Sequence, residues 1–251
     1  MTAPTLVLLA AGMGSRFGGP KQIAPIGPGG SALIDYAARD AVAAGFGRLV
    51  LIVRGEIVEA VESHVQRHWP ADLRPEYVRQ DLEPAAVAAT AAGRAKPLGT
   101  AHALVACRLA NTLLGDRPVN RALCRLDGGD RLTGVVEGAV HVGDDGLLTW
   151  RPVGEPESEA QVMQGDEPVS MNLWGFTPAI VPVLTDAFAA FSAGGGIAAG
   201  EELFLPNVVG ERLGAPTRLD VTVLVSDDRC LGVTHPDDVP LLQATLTGPA
   251  W

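Results

Sequence analysis

Leu6-Val7-Leu8-Leu9-Ala10-Ala11-Gly12-Met13-Gly14-Ser15-Arg16-Phe17-Gly18-Gly19-Pro20-Lys21-Gln22 is the stretch whose reading decides the fold. An apolar run that stops at small residues and glycine reads as a buried strand, here Thr5–Ala11. Glycine has no Cβ, so the turn that follows can bend sharply and lie close to a ligand. Successive backbone N–H groups in such a turn form a concave anion site, and the fixed cations Arg16 and Lys21 sharpen it. Working outward, Leu33–Ala44 is rich in helix formers and stops at Gly45. Arg48–Val53 is a second buried strand. Ile57–Arg67 follows as an amphipathic helix with Val58, Val61 and Val65 at spacings of three and four. Glu76–Gln80 is a short third strand. Strand and helix in alternation imply a parallel sheet with right-handed crossovers. Ligands of such sheets bind at the carboxyl ends of the strands, an edge that the glycine loop and Gln80 would share.

Three motifs compete for the loop. A Walker loop needs G-x-x-x-x-G-K-[ST], but Pro20 separates Gly19 from Lys21, and Gln22 follows. A dinucleotide fingerprint needs G-x-G-x-x-G, but from Gly12 the third glycine position falls on Phe17. The next strand also leads into Arg54 rather than an acid for a ribose. G-x-G-[ST]-R followed by Pro-Lys fits every position. A glycine-rich turn with no ligand is the bland alternative, and it leaves Arg16, Pro20, Lys21 and Gln22 without a reason. The third pattern resembles the signature of the sugar-phosphate nucleotidylyltransferase superfamily. The resemblance implies a three-layer α/β/α Rossmann-like fold with a mixed, mainly parallel sheet and a β-hairpin sugar-binding region. It also implies that Ala11, Gly12, Gly14 and Ser15 hold nucleotide, while Arg16 and Lys21 are catalytic.

Leu98-Gly99-Thr100-Ala101-His102-Ala103 resembles the segment that packs against the nucleobase in that superfamily. It implies base contacts from Gly99 and Thr100, with Gln80 at the base edge; a Gly-Thr pair also serves to cap a following helix. Ala122–Leu126 and Thr133–Glu137, around Asp127-Gly128-Gly129-Asp130, read as a hairpin. The hairpin resembles the one whose final glutamate takes sugar hydroxyls, here Glu137. Val169-Ser170-Met171-Asn172 resembles the later strand whose asparagine also meets the sugar. Read without the resemblance, Glu137 is a solvated strand end and Asn172 a satisfied amide. The remaining elements are a strand over Val169–Phe176, a helix over Ile180–Phe191, a strand over Leu219–Val225 and a closing helix over Pro236–Thr245. Asp81–Ala95 carries no assignment.

One expected piece is missing. The superfamily places a strand soon after the G-T-x-H-A helix, ending in the aspartate that holds catalytic Mg2+. Between His102 and Asp116 this chain has no acidic residue. A strand and a helix read as deleted, and the metal aspartate with them. Asp228, Asp237 and Asp238 are the substitute candidates. The reaction the resemblance implies is attack by a sugar phosphate on the α-phosphorus of a nucleoside triphosphate, with pyrophosphate leaving. Positioning and charge neutralisation dominate such chemistry. A nucleotide-binding pseudoenzyme of the same fold is the second reading, and an NAD(P)-binding oxidoreductase the third.

The 251 residues, 47% hydrophobic and 19% charged, form a globular composition. They read as a single domain with a nucleotide-binding half, 1–115, and an acceptor half, 116–251. No apolar run reaches the roughly 20 residues of a membrane span. A net charge of −10 argues against a nucleic-acid partner, while a few cations in one cleft still suit a nucleoside triphosphate and a phosphorylated sugar. Cys107, Cys124 and Cys230 lack metal-ligand spacing, which favours reduced thiols in the cytoplasm. Oligomeric state is not legible.

Overall fold

The computed structural model describes residues 3–11, 19–80, 101–113, 117–155, 158–199, 201–213, 219–232, 236–246, 248 and 250. They fall into two compact units, one of Met1–Pro84 with Gly232–Trp251 and one of Ala85–Leu231. The fold is mixed α/β and Rossmann-like, as the sequence implies, with one parallel sheet and one curled, largely antiparallel sheet.

The first unit carries β1 (Thr5–Leu9), β2 (Arg48–Val53) and β3 (Glu76–Arg79), all parallel and in that order across the sheet. Side chains alternate across a strand, so Leu6, Leu8 and Ala10 share a face with Leu49, Leu51 and Val53. Helices α1 (Leu33–Ala43) and α2 (Val58–His68) cover that face with Ile34, Ala38 and Ala41, and with Val58, Val61 and Val65. The glycine stop expected for α1 takes a specific form. Gly45 sits at φ 83°, the Phe46 N–H donates to the Ala41 carbonyl at 3.0 Å, and the Gly45 N–H donates to the Val42 carbonyl at 3.0 Å. This is a Schellman closure, which satisfies two terminal carbonyls and needs a residue that tolerates positive φ.

Between the helices lies a buried polar knot. Asp35, fully buried in the first turn of α1, accepts the Ala32 N–H at 2.7 Å, the Trp69 indole N–H at 2.6 Å and His64 Nε2–H at 2.9 Å. Burial works to raise the Asp35 pKa, but these hydrogen bonds and the neighbouring imidazole prevail and hold it below the usual carboxylate value.

The second unit carries β4 (Ala101–Arg108), β5 (Val119–Leu126), β6 (Leu132–Val142), β7 (Leu148–Pro152), β8 (Gln161–Met163), β9 (Pro168–Gly175) and β10 (Asp220–Ser226). Their order across the sheet is β10-β4-β9-β5-β6-β7-β8, with β10 parallel to β4 and the other pairs antiparallel. Both sheet faces have apolar cores. On one, Cys124, Leu132 and Leu104 pack with Ile180 of α3 (Ile180–Ala193) and Val209 of a helix over Leu205–Arg212. On the other, Trp150, Val140, Val169, Leu109 and Met163 pack together. The Trp150 ring occupies the space a Cβ at Gly138 would need, and its indole N–H donates to the Arg121 carbonyl at 3.2 Å.

Two expectations are corrected. The G-T-x-H-A segment implied a helix, yet Ala101–Arg108 is a strand that pairs with β9 and β10. After it the chain makes only a 3-10 turn over Leu109–Thr112 in the described residues before β5. The alanines that favour a helix are overruled by cross-strand packing on both sides. The cysteines also differ from three reduced thiols: Cys107 is disulfide-bonded to Cys230, with Cα atoms 6.4 Å apart. Cys124 is free and buried, and burial pushes its thiol pKa up to about 12.

Candidate functional site

The carboxyl edge of the parallel sheet takes shape from two backbone bonds. The Ala10 N–H donates to the Ile52 carbonyl at 2.8 Å, and the Gln80 N–H donates to the Val53 carbonyl at 2.8 Å. Ala11 and exposed Gln80 therefore stand at one end of the sheet, where ligands of such sheets bind. Pro20 leads into a 3-10 turn over Lys21–Ile23 that packs against α1, with Lys21 half-buried. Gly12, Gly14, Ser15 and Arg16 lie outside the described residues, as do Gly99 and Thr100.

In the second unit, the register sets Glu137 opposite Ala122, and Ala122 opposite Ser170. Three strands thus place Glu137 and Ser170 in one row, about 10 Å apart at neighbouring-strand spacing. Asn172 lies two residues beyond Ser170, where the register between β4 and β9 shifts. It is exposed and holds φ 61°, the single non-glycine residue at positive φ among those described. Its backbone N–H donates to Ser170 Oγ at 3.1 Å. Asparagine tolerates this conformation better than most residues, and such outliers gather at functional sites. Trp174 packs against the core beside Phe176, with ring centroids 5.9 Å apart.

Asp228 Oδ2 accepts the Ser226 hydroxyl at 2.9 Å in the second unit, whereas Asp237 and Asp238 belong to the first. Among the described residues no group of three His, Cys, Asp or Glu side chains could hold a metal ion.

The sequence reading missed one feature of the second unit, a cavity of about 450 Å³ on the sheet face formed by β6, β7 and the approach to β8. Ala139, His141, Thr149 and Arg151 line it. Its signal was the alternation in Leu148-Thr149-Trp150-Arg151, which puts Trp150 in the core and its neighbours on the open face.

Residues 6–107 match the family described as the MobA-like NTP transferase domain. The fold is similar to that of the inositol-1-phosphate CTP transferase from T. maritima, with a TM-score of 0.56 at 13% identity, covering 96% of this chain and 95% of that one. No curated protein matches the chain in sequence. The family match thus covers the first two fifths of the chain, and the structural likeness is one of fold. No described helix is long and apolar enough to cross a membrane.

Proposed function

We propose that the chain is a nucleotidylyltransferase that transfers a nucleoside monophosphate from a nucleoside triphosphate to a sugar 1-phosphate or similar phosphorylated acceptor, releasing pyrophosphate. The observation that carries this reading is the common sheet edge of Ala11 and Gln80, with the Lys21 turn following the glycine loop. In the proposal, the backbone of Ala11, Gly12, Gly14 and Ser15 cradles the triphosphate, and Arg16 and Lys21 neutralise charge developing on the leaving pyrophosphate. Gln80, Gly99 and Thr100 read the base. Glu137 and Asn172 take acceptor hydroxyls, since a carboxylate and an amide offer acceptors and donors in fixed directions. The 251 residues then work as one transferase domain, with nucleotide and acceptor roles divided along the chain. Inositol 1-phosphate, for which the T. maritima enzyme is named, makes a phosphorylated polyol the first acceptor to try.

Magnesium, when bound, would supply further charge neutralisation at the triphosphate. No step here runs through it. The lack of an acidic residue between His102 and Asp116 favours the second reading, a pseudoenzyme that binds nucleotide and turns over slowly or not at all. Equilibrium binding of nucleoside triphosphates to the intact chain tests what the two readings share. Binding that weakens at least tenfold in Lys21→Ala supports both. Binding that is absent, or indifferent to Lys21, overturns both.

A further inference from the structure

We propose that the open face of β6, β7 and β8 is a binding site for the phosphate monoester of a small polyol, with Arg151 and His141 as its phosphate ligands. The site deepens the transferase reading and rests on it for the role of its ligand. Register defines the geometry. Ala139 pairs with Arg151 and His141 pairs with Thr149, so Arg151 and His141 are diagonal neighbours on one face. Ala139 supplies a small side chain between them, and Ala160 and Gly154 complete the cavity of about 450 Å³. That volume falls within the ordinary range for small-molecule sites.

The two basic side chains point to an anion. Neither Arg151 nor His141 has a side-chain hydrogen bond or ion pair among the described residues. Several other arginines among them also lack a carboxylate partner, and what marks Arg151 is its place beside an imidazole in a cavity. Glu155 and Glu159 flank the site, yet neither ion-pairs with Arg151; Glu155 instead accepts the Ser158 hydroxyl at 2.8 Å. A planar guanidinium offers paired N–H donors that match phosphate oxygens, and an imidazole N–H and the Thr149 hydroxyl add further donors. Glu137 distinguishes a polyol ester from bare phosphate. It stands two residues before Ala139 on the same face, diagonal to Arg151, with its carboxylate exposed to accept hydroxyls.

Histidine NMR on the whole chain tests the site without requiring turnover, with His141 assigned by the signal lost in His141→Gln. Inorganic phosphate and myo-inositol 1-phosphate should each shift the His141 signal saturably, and free myo-inositol should not. Arg151→Ala should weaken both at least tenfold, Arg151→Lys should retain part of the affinity, and Glu137→Gln should weaken only the ester. A His141 signal unmoved by either phosphate in the unsubstituted protein overturns the site. Equal affinity for the two phosphates, both indifferent to Glu137→Gln, overturns the polyol assignment. Saturable binding without pyrophosphate release from any triphosphate leaves the site standing and removes the transferase reading. Turnover with His141 unmoved does the reverse.

Discussion

Replacing Asp35 tests whether the buried polar knot, as well as the apolar packing, holds α1 and α2 on the parallel sheet. Asp35 → Ala removes an acceptor shared by the Ala32 N–H, the Trp69 indole and His64. Each of the three buried donors left without a partner costs about 1–3 kcal/mol, partly offset by relaxation of the site. A loss of about 3–5 kcal/mol is therefore expected, a large fraction of the roughly 5–15 kcal/mol that holds an ordinary domain together. Asp35→Asn keeps one carbonyl acceptor but loses the charge, so about 1–3 kcal/mol is expected. The pH dependence follows from the lowered folded pKa. The contribution is complete above the unfolded Asp pKa, near 3.9, and is lost as pH falls through the lower folded value. Urea unfolding followed by tryptophan fluorescence reads all of this, since Trp69 sits in the knot. An Asp35→Ala midpoint equal to the parent's refutes the reasoning, as does equal acid sensitivity in the two proteins.

Gly138→Ala should cost about 1–3 kcal/mol in thermal or urea unfolding, because its Cβ overlaps the Trp150 ring in a packed core. Unchanged stability would show that Trp150 is free to move aside. The disulfide closes a sequence separation of 123 residues, so Cys107→Ser with Cys230→Ser should lower stability by roughly 2–4 kcal/mol under oxidising conditions. A reductant should lower the parent toward the double variant and leave the variant unchanged. Lys21→Ala should reduce turnover at least about 100-fold, the scale typical of a lost preorganised electrostatic group. Retained turnover would remove Lys21 from the catalytic machinery.

The parallel sheet was legible because its strands announce themselves twice. Arg48–Val53 spans the range its apolar run predicted, and Gly45 stops α1 where a positive-φ residue is needed. The hairpin around Asp127–Asp130 was legible in its turn chemistry, but its strands run further, to Val119 and Val142. Beyond Glu137 the residues are small or mixed, so only pairing with β7 reveals that β6 continues. Ala101–Arg108 misled because the resemblance implied a helix there, whereas its conformation is set by neighbours far away in sequence. Of the candidate site, Gln80 was placed correctly at the sheet edge by the topology of α/β sheets. The alternation of β7 marks which of its side chains share a face, but the juxtaposition of Arg151 with His141 was not legible, since it depends on a register that no local pattern fixes.

The most direct test of the central claim is pyrophosphate release with magnesium, from each nucleoside triphosphate with myo-inositol 1-phosphate or a sugar 1-phosphate as acceptor. The account predicts release that needs both substrates and falls at least about 100-fold in Lys21→Ala. Release that is absent from every pairing, or equal in the parent and Lys21→Ala, would contradict it.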